Sequence, residues 1–191
     1  MNPLNSVKGA ITTGVILAII LFLGIEPTQW LHFSLARWLH ILSGVMWIGL
    51  LYYFNVVQIP GLAAAGADKG GPGGAGISKY IAPRALLWFR WAALATWLTG
   101  AWILGPNLVK AFAFDAAFLT IGIGAWLGTI MLFNVWVLIW PNQKKVLGIV
   151  PASDAEKAKA RKIATMASRT NFVLSIPMLA CMAGASHGLP F

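Results

Sequence analysis

Cysteine, acid and histidine are all scarce in this chain, and each scarcity removes a class of chemistry. A single cysteine, Cys181, excludes a disulfide framework, a CxxC redox pair, a thiolate zinc site and covalent c-type haem attachment. Asp and Glu together number five, and two of them, Glu26 and Asp115, fall where an exposed loop is expected, so an intramembrane proton relay has little to work with. No serine lies near both a histidine and a carboxylate, as a hydrolytic triad would need. The glycine-rich stretch lacks the Gly-Lys-Ser/Thr ending of a phosphate loop, and no dinucleotide fingerprint occurs. Charged residues make up only 10% of the 191, too few to cover a soluble globule, while a hydrophobic content of 59% rules out disorder.

What the sequence has instead is long apolar runs. A transmembrane helix needs roughly 20 mostly apolar residues. Five segments serve, at about 10–25, 30–59, 85–104, 117–140 and 163–187, giving an all-α single-domain bundle of five transmembrane helices. The first follows Lys8 but has no small-x-small cleavage site before Glu26, so it reads as a signal anchor. Residues 61–78, with seven glycines, read as a flexible loop. Ser153 and Glu156 have capping-box spacing and predict a helix start that can run straight into the fifth span, where Pro177 predicts a kink.

The basic residues set the orientation. Twelve of the fourteen fall on one side of the five spans, leaving only Arg37 and Lys110 on the other. The positive-inside rule then places the amino terminus in the cytoplasm and the carboxyl terminus in the periplasm of a bacterial inner membrane, multi-pass. The net charge of +9 is thus topological, and nucleic acid is not an expected partner. Tryptophans mark span ends, Trp30, Trp38 and Trp102 outside and Trp88, Trp91 and Trp140 inside. Gly124 with Gly128, and Gly184 with Gly188, form GxxxG pairs that permit close helix approach.

Polar side chains inside a bilayer are functional candidates by default. His40 lies 19 residues from Ile59, and His187 lies 18 from Arg169, with Ile59 and Arg169 marking the cytoplasmic interface. At 1.5 Å per residue both histidines stand about 27–29 Å up, while His32 is roughly 12 Å further out. Two imidazoles at one depth on different helices are what bis-imidazole ligation of a haem b requires, with Arg37, one turn outside His40, available to a propionate. Gly44 and Gly184 leave room for a flat macrocycle. A plainer reading has His40 hydrogen-bonding across the bundle and His187 occupying a wet helix end. Three histidines at two depths do not converge on zinc or copper. Toward the cytoplasm a second polar set comprises Asn55, Gln58, Arg90, Asn134 and Asn171. Arg90 there could receive an anion or a quinone carbonyl; the alternative is interhelical glue, with Arg90 snorkelling to the headgroups.

Four stretches carry a resemblance: RWLHILSGVMWIGLLYYFN (Arg37 to Asn55), YIAPRALLWFRWAALATWLTGAWIL (Tyr80 to Leu104), GAWLGTIMLFNVWVLIWPNQKKV (Gly124 to Val146) and SRTNFVLSIPMLACMAGASHGLP (Ser168 to Pro190). In that order they resemble the membrane domain of the cytochrome-c-linked bacterial urate oxidase (urate hydroxylase) family, most specifically from Gly128 to Val146. The resemblance implies a helical membrane domain joined in the family to a C-terminal cytochrome c and implicated in urate oxidation. This chain departs from it. The family has a His-Gly-Gly-rich element before the third span, histidines at the positions of Leu87, Gly122 and Thr170, and an acid at that of Ala92. His40 stays in register, and His187 lies beside the family's terminal histidine. No CxxCH motif occurs in the sequence.

These readings combine into an integral membrane redox protein holding one haem b between His40 and His187 for electron transfer. Its expected partners are the lipid bilayer, other membrane subunits or a periplasmic cytochrome. The alternatives are a haem-free accessory subunit of a membrane complex and a membrane oxidase acting on urate or a related substrate.

Overall fold

The computed structural model describes residues 2–25 and 31–188, so Glu26 and Trp30 lie outside the described residues. Five long helices account for most of the chain: α1 (Val7–Ile25), α2 (His32–Ala67), α3 (Ile77–Phe112), α4 (Ala116–Val146) and α5 (Asp154–His187). No strand occurs among the described residues. The helices α1 to α4 are long and apolar enough to cross a membrane. The fifth is 34 residues long but opens with a charged stretch, Asp154 to Arg169, which lowers its mean hydropathy.

The helices α2, α3 and α4 run further than their apolar runs alone suggest, and the backbone around their prolines shows how. A proline lacks the N–H for the i−4 carbonyl, and its ring pushes that carbonyl aside. Pro60, Pro83 and Pro141 each sit two residues after a π-helical turn, at Tyr53–Gln58, Ile77–Ile81 and Asn134–Ile139. The widened turn carries the chain past the ring by five-residue pairing: Ile59 N–H donates to Phe54 O, Ala82 N–H to Ile77 O and Trp140 N–H to Val135 O. Pro177, by contrast, leaves α5 helical throughout.

The flexible loop expected over 61–78 is shorter than that. Helix persists through GLAAAGA to Ala67 and resumes by residue 75, leaving only a short irregular turn at 68–74, where Gly73 has φ +67°. The alanines supply the helix preference that the glycines lack.

Packing is unequal. The helix α2 packs most extensively on α3, and α5 on α4, around a core of Trp47, Leu51, Phe54, Phe89, Met131 and Val135. The first helix has no buried residue in its apolar window and touches α2 through an edge-to-face pair, Phe22 with Trp38. Two glycines let the other helices meet. A Cβ on Gly122 would collide with the carbonyl of Ala111, and one on Gly124 would lie 3.0 Å from Cys181 Cβ. Gly124→Ala should therefore lower stability by about 1 kcal/mol, read as a drop in the thermal midpoint in detergent, because Cβ atoms cannot rotate out of the way.

At the head of α5 the expected capping box is formed. Glu156 N–H donates to Ser153 Oγ at 3.3 Å, and Ser153 N–H donates to Glu156 Oε2 at 2.8 Å. These bonds to the carboxylate, from the Ser153 backbone first and its hydroxyl second, hold Glu156 below the usual carboxylate value of 4.5. A depressed folded value means that the cap's contribution is complete above about pH 4.5 and is lost as pH falls through the lower folded value. Amide NMR shifts of Ser153 and Glu156 should report that titration, and Glu156→Ala should abolish it.

Candidate functional site

The histidine end of the bundle encloses a cavity of about 450 Å³ between α2, α3, α4 and α5. Arg37, His40 and His187 all line it, so the structure brings together the two histidines that sequence placed at one height and the arginine one turn outside them. Its other walls are apolar or small, among them Trp97, Gly128 and Met182. A volume of that order is typical of ligand and cofactor sites. A second cavity of about 340 Å³ shares His40, Trp47, Thr96, Met178 and Met182 with the first.

His40 is the most firmly held of the three. It is half-buried, and its Nδ1 donates to the Thr96 backbone carbonyl at 2.9 Å. A carbonyl only accepts, so the neutral ring carries its proton on Nδ1 and keeps a lone pair on Nε2. Thr99 Oγ1 lies 3.3 Å from the same Nδ1 and gives its own proton to Ala95 O. No hydrogen bond to Nε2 occurs among the described residues. Gly100 makes the arrangement possible: a Cβ there would come within 3.0 Å of His40 Cε1. A ring oriented through one nitrogen with the other bare is how imidazole is presented to a metal or to a hydrogen-bond donor.

The other two residues stand at the mouth. Arg37 is exposed, with its guanidinium 4.7 Å above the Phe33 ring. His187 is exposed in the last turn of α5. The register between α2 and α5 follows from two bonds, Asn55 Nδ2 to Ser168 Oγ at 2.9 Å and Ser175 Oγ to Tyr52 OH at 3.2 Å. Extended along the antiparallel pair, it sets His40 level with residues 183–187, which agrees with the depth read from sequence. Around the helix, however, His187 is about 120° from Ser175, at the rim of the cavity and not at its centre. His32 is exposed and does not line the cavity. Among the described residues no group of three His, Cys, Asp or Glu could hold a metal ion.

The second polar set divides in two. Asn134 Nδ2 donates to Asn171 Oδ1 at 2.8 Å, and Asn171 Nδ2 donates to the Met131 carbonyl at 2.9 Å. Asn55 donates to Leu51 O and Ser168, while the buried Gln58 Oε1 has no partner among the described residues. Asn55 thus ties α2 to α5, and Asn134 with Asn171 ties α4 to α5. Arg90 contributes nothing to this network. Its guanidinium lies over the Trp140 ring, 3.8 Å from the centroid. Sequence reasoning missed the contribution of Thr96 and Gly100, because neither lies near His40 in the chain.

Compared with known proteins, residues 106–191 match the family described as urate oxidase N-terminal. No curated protein and no solved structure matches the chain. The matched stretch covers less than half of the 191 residues; it includes His187 and begins well after His40. Over residues 106–191 the chain is therefore similar to the urate oxidase N-terminal family.

Proposed function

We propose that this protein is a five-span redox protein of a bacterial inner membrane, amino terminus inside, which holds one haem b in the His40 cavity. The single observation that carries this reading is His40 itself, tethered through Nδ1 and bare at Nε2, on the wall of an apolar cavity of about 450 Å³. The donor set suits such a group. Imidazole is an ordinary haem ligand, apolar walls favour a macrocycle, and the exposed Arg37 is available to a carboxylate at the mouth. His187, level with His40 but at the rim, would be the second imidazole to hold the haem. A bound haem would supply one-electron exchange. The chain's own residues would fix its orientation, exclude water from its inner face and place its edge near the outer surface. There a periplasmic cytochrome or a larger respiratory assembly could reach it.

The test is a dithionite-reduced minus air-oxidised spectrum of the purified protein, with haem extraction for stoichiometry. Sharp bands and one haem per chain are expected; a featureless spectrum ends the haem reading. A second reading, a haem-free accessory subunit, is favoured by α1, whose Ile16, Leu17 and Leu21 are all more than half exposed with no helix packed over them among the described residues. A stable co-purifying membrane complex without haem would support it. The similarity over residues 106–191 keeps a third, weaker alternative, oxidation of urate or a related substrate, together with the cytochrome-c-linked form of that family. Turnover with urate and a cytochrome acceptor addresses it.

A further inference from the structure

At the opposite end of the bundle from His40, we propose that Arg90, Trp140 and Lys144 form a binding site for the headgroup phosphate of an anionic phospholipid. Two cations approach one indole ring. Arg90 Cζ lies 3.8 Å from the Trp140 centroid, and Lys144 Nζ lies 5.9 Å from it, one turn along α4. A guanidinium held over an aromatic face by its charge does not use up its five N–H donors, which leaves donors for a planar or tetrahedral oxyanion. None of these donors has a partner among the described residues.

Among the described residues the charge inventory leaves no internal anion for them. Of the five Asp and Glu residues in the chain, four are described. Asp154 meets Lys157 in the only ion pair among the described residues. Glu156 is bonded to Ser153, Asp68 accepts from Gly70 N–H, and Asp115 accepts from Ala117 N–H. Arg90 and Lys144 are therefore cations without a carboxylate among the described residues, on a bundle with too few acids to supply one.

The surroundings specify a lipid as the source of the anion. Val137, one turn from Trp140 on α4, and Trp91, next to Arg90 in the chain, each expose about half their area. A phospholipid offers a phosphate for the cations and acyl chains for those side chains, which free phosphate does not. Lys144 lies in the last turn of α4 and Trp140 one turn before it, so the site sits near the α4 end, beside the basic residues that gather there, and Arg90 reaches it from within α3.

The test is native mass spectrometry of the detergent-solubilised protein titrated separately with phosphatidylglycerol, phosphatidylcholine and inorganic phosphate. Phosphatidylglycerol should bind at least about tenfold tighter than phosphatidylcholine, and Arg90→Gln should erase roughly tenfold of that affinity. Trp140→Leu should cost about threefold by releasing the guanidinium, with Arg84→Gln as a neutral control. Lys144→Gln, near a helix end, decides the matter if Arg90→Gln does not fold, and should also weaken binding. Equal binding of the two lipids overturns the proposal, as does unchanged phosphatidylglycerol affinity in the folded Arg90 and Lys144 variants. Full competition by inorganic phosphate at the lipid's own affinity would show a free-anion site and overturn the lipid assignment. None of these outcomes depends on haem.

Discussion

If the proposed haem b is bound, His40→Ala should yield folded protein with essentially no haem, whereas His187→Ala should keep haem and change its spectrum. The difference follows from how each side chain is held. His40 is half-buried, fixed by the Thr96 carbonyl and packed against Gly100, so its Nε2 is directed before any ligand arrives. A preorganised ligand loses little freedom on binding, and its removal leaves only apolar contact and the mouth residues. His187 is exposed, stands at the cavity rim and must give up solvent and rotamer freedom to reach inward. Its loss should therefore shift the spectrum of a bound haem and lower haem affinity by a smaller factor than the loss of His40. The checks are pyridine haemochrome content and the reduced-minus-oxidised spectrum of each variant. Haem retained at one per chain in His40→Ala would remove His40 from the site.

The second large effect is on stability. Asn171 is fully buried and bonds two partners on α4, the Asn134 amide and the Met131 carbonyl. Leucine is of similar size, so Asn171→Leu removes both bonds with little change in volume. Interhelical hydrogen bonds in membrane proteins average about 0.6 kcal/mol and reach about 1.7. A buried amide left unpaired at Asn134 adds about 1–3 kcal/mol. The variant should lose about 2–4 kcal/mol, a fall of roughly 5–15 °C in thermal midpoint for a chain of this size. The double variant Asn134→Leu with Asn171→Leu should recover part of that loss, since two apolar groups leave no orphan. Strictly additive losses would show that the pair is not coupled.

Much of this arrangement is legible in the sequence because it rests on local rules. Apolar runs long enough for a bilayer gave five helices; all five segments are helical, and four of the helices are long and apolar enough to cross a membrane. Ser153 and Glu156 cap α5 as their spacing requires, since a capping box is closed within four residues. The height of His40 and His187 could be counted at a fixed rise per residue. Other features escape such counting. Arg90 shares its polarity and its place toward the cytoplasm with Asn55, Gln58, Asn134 and Asn171, yet it turns to Trp140 on another helix. Depth is one coordinate; the direction in which a residue faces depends on how the helices are rotated against one another. The three π-helical turns likewise became visible only once the helices were seen to run on past Pro60, Pro83 and Pro141.

By itself, then, the sequence determined which segments are helical, how high along them the polar residues stand, and which end of the bundle gathers the cations. Only the tertiary structure decided that His40 is oriented by Thr96 and accommodated by Gly100, that His187 stands at the cavity's rim, and that Arg90 rests on Trp140. The reason is physical. Periodicity and hydropathy are properties of one helix in its solvent, whereas hydrogen bonds across the bundle and the cavities between helices depend on rotations and close approaches that no single segment encodes.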